Sequence, residues 1–146
     1  MTILSSFKRP KLKKLLSIKY SPNAFNTAML FFRVCICILM MSHGFEKLLA
    51  FGTRHSTFMN FLGLGSMVSY LLVIFAEFFC ALFVLIGLFT RLSCIPLIIA
   101  MAVALFMKHH GQFFDNGETA ALYLIGFFVI LLLGPGKFSI DGLAGK

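Results

Sequence analysis

The sequence has no tryptophan, only four prolines, and only five Asp and Glu among 146 residues. Charged residues make up 12% of the chain, about half the share of a soluble globular domain. That shortage excludes an ordinary soluble enzyme. The four cysteines form no Cys-x-x-Cys and no even surface framework, which excludes a disulfide-stapled secreted domain. What is abundant is apolar: 60% hydrophobic residues, 19 of them Phe, and a mean hydropathy of +0.96. A chain this apolar is not disordered. Its apolar residues are gathered into long blocks, so the class is integral membrane. In a soluble protein the net charge of +8 would suggest nucleic acid. Here it asks instead where the cations lie relative to the bilayer, and no nucleic-acid partner is expected.

Residues 1–21 hold six of the cations (Lys8, Arg9, Lys11, Lys13, Lys14, Lys19) and no acid. Leu12, Leu15, Leu16 and Ile18 interleave with them, so the stretch suits a short amphipathic helix on an anionic leaflet or against an acidic partner. The plainer reading is a flexible basic tail that orients the protein. A mitochondrial transit peptide shares the composition. A secretory signal does not fit, because the next apolar block is too long and runs into His43-Gly44-Phe45-Glu46-Lys47 without a cleavage site. Residues 22–146 are read as one membrane domain.

Four apolar blocks follow, at about 26–45, 67–88, 92–107 and 119–133. The first two are long enough to cross a hydrocarbon core of roughly 30 Å, and the last two need local thinning or interfacial residues. Reading only two spans would leave two apolar blocks without a solvent. The expected fold is therefore an all-α, four-transmembrane-helix antiparallel bundle. With the N-terminus inside, the tail cations, Arg91, Lys137 and Lys146 face inward, and Lys47, Arg54 and Lys108 face outward. Nine against three places both termini in the cytoplasm. Residues 89–91 are read as a hairpin between spans two and three. The segment 46–66 is long yet apolar, so it is expected in the outer interface or as a re-entrant lid. Asp115 as N-cap and Glu118 at N3 suggest a capping box for the last span, and Gly134-Pro135-Gly136 its end.

Ionisable residues at lipid depth are functional candidates. Arg33 lies seven residues into span one, roughly 10 Å deep, from where it could snorkel to the inner surface. Glu77 lies near the middle of span two and needs protonation, a partner or a polar cavity. An Arg33–Glu77 pair is the simplest way to keep both charges, either as a structural pair or as part of a site. Helical azimuth puts Arg33, Gly44 and Lys47 on one side of span one with His43 at its edge, and Tyr70 on the Glu77 face of span two. Together they outline a polar pocket opening outward, floored by Glu77 and Arg33 and roofed by residues 51–64.

His43, His109, His110 and Glu118 fall at one depth. No His-x-x-x-His or Glu-x-x-His spacing accompanies them, so a protonatable cluster or an interfacial belt is favoured over a metal site. A haem between His43 and His109 is the remaining alternative. Cys35, Cys37, Cys80 and Cys94 all lie within spans and read as buried thiols.

In order along the chain, Arg33, His43-Gly44-x-x-Lys47, Glu77, Gly87-Leu88-Phe89-Thr90-Arg91, Glu118 and Gly134-Pro135-Gly136-Lys137-Phe138-Ser139-Ile140-Asp141 resemble the DoxX family of small bacterial membrane proteins. The resemblance covers about 27–142. It implies a four-helix membrane fold. It also implies kinship with membrane subunits of thiosulfate:quinone oxidoreductases and of thiol-redox and oxidative-stress complexes, although many relatives have no assigned activity. The basic tail and the Phe-rich composition depart from the family pattern and leave room for a specialised partner.

The expected role is a subunit of a quinone-linked redox complex. Glu77 and His43 would exchange protons with a bound quinone, and Arg33, Lys47, Tyr70, His109 and Glu118 would bind it. Gly44, Arg91, Gly134, Pro135 and Gly136 would be structural. A quinone is the expected cofactor; the chain carries no metal, haem or flavin signature, so other membrane or redox subunits must complete the reaction. The competing readings are a non-catalytic anchor or assembly subunit and a lipid or small-molecule binder.

Overall fold

A computed structural model describes residues 21–145, all helix and connection, with no strand among the described residues. The expectations for the basic tail fall almost wholly on residues 1–20, outside the described residues. The helices are α1 (Pro22–Leu49), a single turn α2 (Phe51–Arg54), α3 (Ser66–Ile86), α4 (Thr90–Lys108), α5 (Glu118–Leu133) and a closing turn α6 (Ile140–Leu143). Three of them, α1, α3 and α4, are long and apolar enough to cross a membrane. The 16 residues of α5 reach about 24 Å, short of a full hydrocarbon core.

The ends of the helices follow local chemistry. Ser21 caps α1, its hydroxyl accepting from the Ala24 amide at 3.1 Å, and Pro22 occupies the first turn, where no amide partner is needed. Gly87 ends α3 in the left-handed region, at φ +74, and Gly134 ends α5 at φ +80. Three details correct the sequence reading. The connection between α3 and α4 is 87–89, not 89–91, because Gly87 stops one helix and Thr90 already starts the next. First-span helix runs on to Leu49 and takes in Glu46 and Lys47, which shortens the following connection to 50–65. Gly117, not Asp115, is the N-cap of α5, with no side-chain cap bond, and Glu118 is its first residue, so there is no capping box.

The four long helices close a ring: α1 packs on α3, α3 on α4, α4 most extensively on α5, and α5 returns to α1. Their shared core holds Ile36, Cys37 and Met40 of α1, Cys80 and Val84 of α3, Cys94 and Leu97 of α4, and Phe127 and Ile130 of α5. Large apolar side chains also cover the outside, among them Phe31, Leu39, Ile99, Leu122 and Leu132. A bundle apolar both inside and outside needs lipid as its solvent.

Both α3 and α4 contain a stretch of π-helix, at Phe75–Cys80 and Ala104–Lys108. Such wide turns recur at functional sites. One carries Glu77 and the other ends at Lys108.

Candidate functional site

Glu77 is 5% exposed, and its carboxylate receives the Lys47 ammonium from α1 in a direct ion pair. The approach depends on Gly44. A Cβ there would stand 2.7 Å from the Phe78 amide nitrogen and 3.0 Å from the Glu77 carbonyl oxygen. With no side chain at Gly44, the backbones of α1 and α3 meet at the turn that presents Glu77. Lys47 follows three residues later on the same face. Tyr70, one helical repeat before Glu77, is buried and donates its hydroxyl to the Lys47 carbonyl at 2.9 Å, which fixes the end of α1.

The ion pair borders two cavities. The larger, about 510 Å³, is a chamber whose polar groups are Lys47, Arg54, Thr57, Tyr70, Glu77 and Lys108. Three cations face one carboxylate, so the chamber favours a ligand that carries or develops negative charge. Arg54, Thr57, Phe58 and Met59 of the 50–65 connection form its roof. Phe58 lies edge-on to Tyr70 at 5.0 Å, and Ser69 ties the segment by accepting from the Phe61 amide at 2.9 Å and donating to the Gly65 carbonyl at 2.7 Å. On the far side of the pair lies a vestibule of about 190 Å³, bordered by His43, His109, Asn116, Thr119 and Tyr123. His43 meets the Tyr123 ring edge-on at 5.8 Å.

Arg33 does not take part. It is 1% exposed and donates to the carbonyls of Pro135 at 2.9 Å and Phe138 at 2.7 Å. Its Nε has no hydrogen-bond partner among the described residues. The expected Arg33–Glu77 pair is therefore wrong, and so is Arg33 as the floor of the pocket. The reason is depth: Glu77 lies level with Gly44, eleven residues beyond Arg33, about 16 Å along the helix axis. At the Arg33 end the chain builds a clamp instead. Asp141 accepts from the Phe89 amide at 3.0 Å, the Thr90 amide at 2.8 Å and the Thr90 hydroxyl at 2.9 Å. Asn26 accepts from the Lys137 amide at 2.9 Å, and Arg91 lies over Gly134.

Of the other residues singled out in sequence, Glu118 is exposed and borders neither cavity, and His110 likewise. His43 and His109 share the vestibule of about 190 Å³. Among the described residues, no group of three or more His, Cys, Asp or Glu is arranged to hold a metal ion. Thr57 and Tyr123 at these cavities gave no sequence signal. Arg54 and Lys108 entered the sequence reading only as outward-facing cations, and only the fold brings them to the chamber.

The DoxX family model matches residues 28–110, more than half of the chain. The chain belongs to the DoxX family. No curated protein and no solved structure matches it. With three helices of spanning length, this DoxX protein is a multi-pass membrane protein. The matched segment contains His43, Gly44, Lys47, Tyr70, Glu77 and Lys108, the residues that build the chamber and its rear wall. It stops before Glu118 and Gly134-Pro135-Gly136, on which the resemblance also drew.

Proposed function

We propose that this DoxX-family protein is the quinone-binding subunit of a redox complex in a bacterial inner membrane. In this reading the helices form an antiparallel four-helix bundle with both termini cytoplasmic, and the chamber faces outward. The carrying observation is the buried Glu77 carboxylate, ion-paired to Lys47 on the wall of a chamber set between apolar helices. A quinone accepts two electrons and two protons at oxygens that are buried when it is bound. The donor set fits such a head group: Lys47, Arg54 and Lys108 supply cationic donors for oxygens that gain negative charge. Glu77 holds an exchangeable proton position beside them. His43 and His109, on the vestibule side of the pair, connect that position to the aqueous interface. Electron delivery belongs to a partner subunit of the complex.

The test is purification from native membranes with partners attached, followed by assay of bound quinone and of quinone reduction. Wild type should retain quinone, and Glu77→Gln should lower the reduction rate by about 10²-fold or more, the usual weight of a positioned proton donor. A quinone-free complex whose rate is unchanged in Glu77→Gln overturns the reading.

A further inference from the structure

The chamber has a second, apolar arm. A slot of about 270 Å³ runs between α3 and α4, and it shares Phe58, Met59, Val73, Ala100 and Val103 with the chamber. Its outer walls are Leu72, Phe75 and Ile99, exposed at 47%, 48% and 51% on the surface that meets lipid. Small or stiff residues, Ala76, Pro96 and Ala100, leave the gap between the helices. Its one polar side chain is Ser69, whose hydroxyl is already committed to the roof at both ends. The slot thus offers hydrogen bonds to nothing and joins the bilayer to a chamber with a surplus of cations. Above it, the stapled 50–65 segment stands between the chamber and water.

We propose that the ligand loads sideways from the outer leaflet through the α3–α4 slot, leaving its prenyl tail there while its head occupies the chamber. The identity of the head as a quinone and of the leaflet as the outer one rest on the function and orientation proposed above; the sideways path does not. Charge and polarity match along the whole length: acceptor oxygens meet Lys47, Arg54 and Lys108, and hydrocarbon meets Leu72, Phe75 and Ile99. Because lipid tails are as apolar as the slot, placing a tail there yields little affinity. What the slot determines is the route and the depth at which the head comes to rest.

The experiment places a photoreactive residue at Val103, where slot and chamber join, or at Leu132, a lipid-facing position at the Arg33 end, in the full chain in native membranes. Adducts are identified by mass spectrometry. Prenylquinone should be captured at 103 at least tenfold more than at 132. Ala100→Phe should reduce that capture about tenfold without changing bulk-lipid capture at 132. Ile99→Phe, half in lipid and outside the core, is the second plug and should act in the same direction if Ala100→Phe unfolds the bundle. Phospholipid captured at 103 and blocked by the plugs upholds the sideways path and overturns the quinone head. Capture at 103 that neither plug changes, or no enrichment over 132, overturns the path.

Discussion

Lys47 and Glu77 meet beside a close approach of α1 and α3, where Gly44 lets the Glu77 backbone come within van der Waals reach. The two partners are not equally placed. The Lys47 side chain is 27% exposed and that of Glu77 only 6%. Lys47 can turn toward water when its partner is removed; Glu77 cannot.

Lys47→Met should therefore be the costlier single change, about 2–4 kcal/mol against about 1 kcal/mol for Glu77→Gln, because it takes away the cation in direct contact with a buried carboxylate. The double variant Lys47→Met/Glu77→Leu should recover most of the loss. Thermal unfolding in detergent measures all three. A double variant no more stable than Lys47→Met contradicts the asymmetry.

Arg33 and Glu77 should behave as strangers. Arg33→Met leaves the Pro135 and Phe138 carbonyls without their donor and should cost about 2–3 kcal/mol. Combined with Glu77→Gln, the two losses should add to within about 0.5 kcal/mol. A coupling above about 1 kcal/mol would mean that the two charges share a network.

Gly44→Ala should destabilise by about 1–3 kcal/mol, since its Cβ would meet backbone rather than a flexible side-chain end. Gly52→Ala, where a Cβ would meet nothing within 4 Å, should change stability by less than about 0.5 kcal/mol. If both variants gain stability alike, helix propensity governs the two positions and the close approach at Gly44 does not.

The Asp141 carboxylate serves as a cap for α4 supplied from 51 residues away. Asp141→Ala should cost about 1–2 kcal/mol, and Asp141→Asn less, since one acceptor oxygen remains. Equal losses in the two variants would show that the charge, not the cap geometry, is what matters.

The apolar helices were legible, though not each of their ends, because a bilayer demands long apolar blocks and Gly or Pro closes them. The polar face of α1 was legible too, since Gly44 and Lys47 follow helical spacing. The partner of Glu77 was not. Azimuth says which side a residue faces, whereas pairing depends on how far one helix slides along another. Gly44 fixes that offset, and a glycine's close approach is invisible until its neighbour is known. Arg33 failed for the same reason in reverse: its acceptors are main-chain carbonyls 102 and 105 residues later, and no side-chain type advertises a carbonyl.

That separation has a consequence for biosynthesis. The first helix leaves the ribosome and meets the membrane while the carbonyls of Pro135 and Phe138 are still to be made. Throughout that interval Arg33 must be held by water, a lipid phosphate or the insertion machinery. The bundle can be completed only after its closing turn has been synthesised, so chain termination or a bulky fusion near residue 138 acts on the first helix as much as on the last.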